Sequence, residues 1–174
     1  AGRRDLRDLP FVTIDGDTAR DFDDAVEVER LGEGKFLLRV AIADVSHYVR
    51  TGSPMDREAQ DRGNSWYFPT SVEPMLPKEL SNGLCSLKEG ENRACMAVRM
   101  VFDKDGRKTG HRFVRGLMRS HAKLSYEQAQ TAIDGQPDDM AGPIMDAIPY
   151  PLWNAYHAML KGRLKRSPLQ IESA

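Results

Sequence analysis

Phe11-Val12-Thr13-Ile14-Asp15-Gly16-Asp17-Thr18-Ala19-Arg20-Asp21-Phe22-Asp23-Asp24-Ala25-Val26-Glu27-Val28-Glu29 reads as two strands joined by an acidic connection. Residues 11–14 are a strand-like apolar run, and 25–29 alternate apolar with acidic side chains, the period of a half-buried strand. Between them lie five carboxylates in ten residues. So much negative charge on one short connection repels itself unless something cancels it. A hard divalent cation does this, since Mg²⁺ favours carboxylate and water oxygens and binds through a few carboxylates plus substrate phosphates. The plainer reading is a solvated acidic loop, as a charge run usually is. The apolar strands on both sides, and Phe22 inside the run, favour the metal.

Spacing narrows the choice. Asp21 and Asp23 lie two apart, so in extended chain they point one way and Asp24 the other. Asp15 ends the incoming strand, where a loop can fold it back toward the other three. A cluster of this kind can hold one or two Mg²⁺ ions on a phosphodiester, and an ion pair stabilises both attacking and leaving oxygens of an in-line displacement. An EF-hand is excluded. Its calcium loop needs Gly at the sixth position and Glu at the twelfth, and counting from Asp15 those places hold Arg20 and Val26.

The pattern Thr13-Ile14-Asp15-Gly16 followed by Ala19-Arg20-Asp21-Phe22-Asp23-Asp24-Ala25 resembles the acidic signature of the ribonuclease II/ribonuclease R family catalytic domain. Further matches follow in the family's order. They are Val40-Ala41-Ile42-Ala43-Asp44-Val45-Ser46-His47-Tyr48-Val49, Asp56-Arg57-Glu58-Ala59, and Arg62-Gly63-Asn64-Ser65-Trp66-Tyr67-Phe68-Pro69. Pro74-Met75-Leu76-Pro77, Leu80-Ser81-Asn82-Gly83-Leu84-Cys85-Ser86-Leu87 and Ser120-His121-Ala122-Lys123-Leu124-Ser125-Tyr126 complete the set. The opening Arg4-Asp5-Leu6-Arg7-Asp8-Leu9-Pro10 is most similar to the bacterial ribonuclease R branch.

The resemblance implies a processive, Mg²⁺-dependent exoribonuclease that degrades RNA from its 3′ end to nucleoside 5′-monophosphates. It implies that Asp15, Asp21, Asp23 and Asp24 are the metal ligands, with Asp23 the catalytic carboxylate. Tyr67 matches an aromatic that packs on a terminal base, and Tyr126 one that contacts the 3′-terminal nucleotide. Without the family, Tyr67 between Trp66 and Phe68 is equally a core or strand residue, and Tyr126 a surface residue at a helix start. Base stacking on an aromatic is worth about 1–3 kcal/mol. The family's catalytic domain continues past the point where this chain stops. Residues 1–174 therefore read as its truncated N-terminal part. The segment with a catalytic arginine and the flanking cold-shock and S1-type RNA-binding domains are expected in a longer parent, and the fragment alone is expected to be inactive.

Composition sets the outer limits. With 174 residues, 40% hydrophobic and 29% charged, the chain can bury one ordinary core. A net charge of −1 gives no general polyanion-binding surface, and the basic runs at 112–119 and 161–166 read as amphipathic surface. Cys85 and Cys95 have no zinc-ligand spacing around them, and a reduced, cytoplasmic setting fits. No apolar run is long enough to span a membrane. RNA is the expected partner, with no membrane.

The layout is strands first, then helices, which predicts an α+β fold with a mixed, largely antiparallel sheet and flanking helices. Residues 25–31 and 35–43 read as a hairpin across Gly32-Glu33-Gly34. Ser53-Pro54 opens a short helix to about residue 61. Three prolines make 67–77 irregular and able to line a cleft. A second hairpin, 93–102 with 108–115, turns at Asp105-Gly106. Ser125 and Gln128 form a capping box for a helix over 126–133, closed by Gly135. The segment 135–151 is the expected flexible connection. Trp153, Tyr156, His157, Leu160 and Leu164 define one face of a last helix, ended by Ser167-Pro168, with His157 packed rather than ligating.

Two other functions compete with the nuclease. Phe11 to Asp17 resembles a strand ending in the Asp-x-Asp nucleophile motif of haloacid dehalogenase-type phosphatases, a reading that requires a helix next and strand–helix alternation after it. A non-catalytic RNA-binding fragment is the other, and the Asp cluster alone does not separate it from the nuclease.

Overall fold

The computed structural model describes residues 2–139, 141–144 and 148–165. Its strands are β1 (Arg4–Asp5), β2 (Val12–Asp15), β3 (Asp24–Gly32), β4 (Lys35–Ala43), β5 (Trp66–Tyr67), β6 (Val72–Glu73), β7 (Asn92–Phe102), β8 (Lys108–Arg119) and β9 (Ala122–Ser125). Its α-helices are α1 (Pro54–Arg62), α2 (Tyr126–Ile133) and α3 (Pro149–Leu164). Seven strands form one sheet in the order β1-β8-β7-β4-β3-β2-β9, while β5 and β6 pair separately. The inner pairs are antiparallel, and the two edge pairs, β1 with β8 and β2 with β9, are parallel. This is the expected mixed, largely antiparallel α+β arrangement.

Both hairpins form where the turn residues place them. Gly32, Glu33 and Gly34 all have positive φ, so glycine on either side confines the left-handed cost to Glu33. The second hairpin runs four residues longer than expected on β8, to Arg119. In that extension Gly116 and Met118 are buried and Arg119 is exposed, as is Arg115 just before it, so charge masks the strand period.

Side-chain alternation divides the sheet into two faces. On one, Val28, Phe36, Leu38 and Phe102 pack against Leu152, Ala155 and Met159 of α3. Phe36 and Phe102 are register partners and stack with ring centroids 5.0 Å apart. On the other, small residues (Ala25, Ala41, Ala43, Cys95, Ala97) form a floor under Leu6, Phe11, Phe22, Leu80 and Leu87. The small floor lets the acidic connection lie close over the sheet, with Phe22 inserted as its anchor.

The last helix corrects one expectation. Its packed face is Leu152, Ala155, Met159 and Gly162, not the aromatic one. Tyr156 and Leu164 are exposed at 48% and 55%, and His157 is also exposed. Trp153, Tyr156 and His157 instead contact one another as a ring cluster. The reason is clearance. A Cβ on Gly162 would lie 2.8 Å from the Asp105 carbonyl oxygen, so only small side chains fit where α3 crosses the β7–β8 turn. The 135–151 connection carries a 3₁₀ turn over Gly142–Ile144, and Ala141 and Ile148 are buried in it. The proposed stop at Ser167-Pro168 lies outside the described residues.

Candidate active site

Asp15 closes β2 and Asp24 opens β3, its antiparallel neighbour, so the acidic connection is held at one end of the sheet. Its backbone is pinned from three sides. Ala43 N–H donates to the Asp23 carbonyl at 2.9 Å, and Leu87 N–H to the Phe22 carbonyl at 2.9 Å. The buried Ser86 hydroxyl accepts from Phe22 N–H at 3.1 Å and donates to the Arg20 carbonyl at 2.8 Å. Ser86 follows a π-helical turn over Leu80–Leu84, where Cys85 N–H reaches back to the Leu80 carbonyl at 2.8 Å.

The carboxylates feel one another. Burial, then the charges of Asp21, Asp24 and Asp15, push the Asp23 carboxyl above its ordinary range. Burial and then Asp15 do the same to Asp24. Both side chains reach solvent on one side, so the desolvation comes from the backbone and core packed on the other. Asp15 Oδ1 accepts from Gly16 N–H at 2.8 Å. Asp21 Oδ2 accepts from the Tyr67 hydroxyl at 3.2 Å, on the β5–β6 hairpin. No basic side chain forms an ion pair with any of the four among the described residues.

An all-oxygen set of uncompensated carboxylates has the donor chemistry of a hard divalent cation site. Its spacing is looser than a ligand shell. Among the described residues no group of three or more His, Cys, Asp or Glu side chains is gathered closely enough to hold a metal ion. Asp15, Asp21, Asp23 and Asp24 thus share one region as electrostatic neighbours without forming a closed coordination sphere.

The two tyrosines reach this end of the sheet from different elements. Tyr67 is 68% exposed apart from its hydroxyl contact with Asp21. Burial, followed by the Asp21 charge and hydrogen bond, raises its phenol pKa and keeps the proton on it. Tyr126 starts α2 immediately after Ser125, which is the register partner of Asp15 across β2 and β9. Its ring is 59% exposed. The capping box holds the helix start: Ser125 Oγ accepts from Gln128 N–H, and Gln128 Oε1 from Ser125 N–H.

Comparison with known proteins follows the same lines. The RNB domain family model matches residues 3–166. The chain belongs to the RNB domain family. It is 49% identical to ribonuclease R of Escherichia coli over 99% of its own length, covering 21% of that protein. It is 48% identical to ribonuclease R of Acidithiobacillus ferrooxidans, covering 98% of this chain and 39% of the relative. The structure of Mycoplasma genitalium RNase R in complex with double-stranded RNA superposes with a TM-score of 0.89 at 34% identity, over 95% of this chain and 29% of that one. The chain therefore spans about a fifth of the length of the first of these curated relatives.

Membership in the RNB domain family accounts for the fold and for the order of the motifs. It also disposes of the phosphatase reading. After Asp15-Gly16-Asp17 comes an irregular connection and then an antiparallel strand, with no helix between. Two positioning residues went unassigned in the sequence. Ser86 satisfies two backbone groups of the acidic connection, and a buried group left unpaired costs about 1–3 kcal/mol. Lys123 places its Nζ 5.2 Å from the centre of the Phe22 ring and donates to the Asp17 carbonyl at 3.3 Å. Both lie in quoted motifs, yet no local spacing marks a serine or lysine as a brace for a loop many residues away.

Proposed function

We propose that this chain carries the metal-binding part of a 3′-to-5′ exoribonuclease site that hydrolyses single-stranded RNA to nucleoside 5′-monophosphates with Mg²⁺. The observation that supports it is the set of four mutually repelling carboxylates with no cationic side chain paired to them. Bound Mg²⁺ would act as a Lewis acid on a phosphoryl oxygen and lower the pKa of a bound water. Asp15, Asp21, Asp23 and Asp24 would hold it. Asp23, which feels the other three, is assigned to orient the attacking water. Tyr67 orients Asp21 through its hydroxyl and offers its exposed ring to a base. Tyr126 offers a second ring from the α2 start. RNA enters the proposal through the family and through the RNA-bound Mycoplasma relative.

A non-catalytic RNA-binding role draws on one observation, the open spacing of the carboxylates. Release of mononucleotides from a labelled single-stranded RNA separates the two. The protein that carries this chain should release them in a Mg²⁺-dependent manner. Asp23→Asn should lose more than the 10–100-fold typical of an outer-shell partner, while still binding RNA through its aromatic rings. This chain on its own should release little, because the resemblance puts the arginine that would clamp the transferring group in a later segment of the family's catalytic domain. RNA binding without Mg²⁺-dependent release by the longer wild-type protein would replace the nuclease with the binding role. Robust release by this chain alone would show that no residue outside it is needed.

A further inference from the structure

The acidic connection occupies one end of the small-residue sheet face, and the other end of that face carries a row of arginines. Arg39 of β4 is the register partner of Arg99 on β7, and Arg99 of Arg112 on β8. Directly opposed side chains lie on the same face, so three arginines stand side by side on it, their strands about 4.8 Å apart per step. Like charges placed opposite one another in a sheet are destabilising. At Arg39 the fold answers this with Glu27 and Glu29, which take its two terminal nitrogens. Arg99 and Arg112 have no carboxylate partner among the described residues, and both are exposed.

The row borders a cleft of about 530 Å³ that also takes in Arg4, with apolar walls from Leu6, Leu9 and Val114. Asp5 and Asp8 also line it, and Asp5 is engaged by Arg7 at 2.6 Å. Two neighbouring arginines without carboxylate partners, beside a low-dielectric wall, suit bidentate capture of oxyanions. Along β4, Arg39 lies four residues from Ala43, the residue that binds the Asp23 backbone. That is about 13 Å of strand.

We propose that Arg99 and Arg112, with Arg4 and Arg39 beside them, form a second RNA contact that grips backbone phosphates upstream of the nucleotide held at the carboxylates. This rests on the nuclease reading above, which supplies the polyanion. The row adds affinity and salt dependence only for RNA long enough to reach it.

The test uses the protein that carries this chain, in an Asp23→Asn background to prevent turnover, and compares Arg99→Gln, Arg112→Gln and the double substitution. Affinity for a long single-stranded oligoribonucleotide and for a dinucleotide is measured across a salt series. For single strands the slope of log K against log salt falls by about 0.7 for each phosphate that is no longer neutralised. Each single variant should lose about that much on the long RNA and the double variant about 1.4, with a smaller change on the dinucleotide. Arg99→Lys, which keeps the charge, should keep most of the slope. An unchanged slope in the double variant, with wild-type-like RNA affinity, overturns the inference and leaves the nuclease reading intact. An unchanged slope accompanied by new protease sensitivity at a flanking domain also overturns it, and marks the row as a docking point for acidic protein surface. Failure of the parent background to bind RNA at all overturns both readings.

Discussion

Asp23 and Asp24 hold charge that the fold would rather not carry. Their carboxyls titrate above the ordinary value of 3.8, because burial and neighbouring aspartates disfavour the ionised form. Below 3.8 both are protonated folded and unfolded, and the cost is absent. As pH rises from there through the raised folded pKa, the unfolded chain releases its protons first, so stability falls and then levels off. Asp23→Asn removes that cost and is expected to melt at a higher temperature than wild type near pH 7 without divalent cation. The gap should close as pH is lowered toward 3.8. A scan of melting temperature against pH checks this, and a variant less stable at neutral pH would contradict it. Such a site, costly when empty, is the residue-scale form of a trade between stability and function. The acidic residues themselves were legible, since five carboxylates between apolar runs need an explanation. Ser86 and Lys123 were not, because their partners are distant in sequence and a lone serine or lysine carries no periodic signal.

The elements that position the site are set by turns and caps, and these were the most legible feature. Ser53, Ser125 with Gln128, Gly32 to Gly34 and Asp105-Gly106 all act where local chemistry places them. The face of α3 was not legible. Its sequence offers an aromatic stripe and a small-residue stripe, and hydrophobic spacing favours the larger one. The β7–β8 turn selects the smaller. Gly106 has φ of 73°, and a Cβ there would lie 2.0 Å from the Ala158 carbonyl oxygen. Gly106→Ala should therefore cost about 1–2 kcal/mol for the left-handed conformation and about 1–3 kcal/mol more for overpacking against α3. Gly90 has a similar φ of 71° with nothing within 4 Å, so Gly90→Ala carries the conformational cost alone. Urea denaturation of the two variants isolates the helix contact. Equal losses would show that α3 yields freely and does not depend on the clearance.

Across the molecule, one sheet carries the acidic connection at one end and the arginine row at the other of the same face, while α3 covers the opposite face. In the ring cluster of α3, Tyr156 and His157 are exposed and Trp153 is half-buried, in a chain that spans 21% of its Escherichia coli relative. The fold class followed from strand and helix order, and the family from motifs spread across most of the chain. The arginine row was hidden, because Arg39, Arg99 and Arg112 are far apart in sequence and meet only through strand register. The proposed nuclease activity requires the four carboxylates to form a divalent-cation centre. Calorimetric titration of Mg²⁺ into the protein that carries this chain, wild type and with Asp15→Asn, Asp21→Asn, Asp23→Asn or Asp24→Asn, tests it most directly. Binding should be saturable in the wild type and weaker in every one of the four variants, Asp23→Asn included. Wild-type Mg²⁺ affinity retained in all four would contradict it.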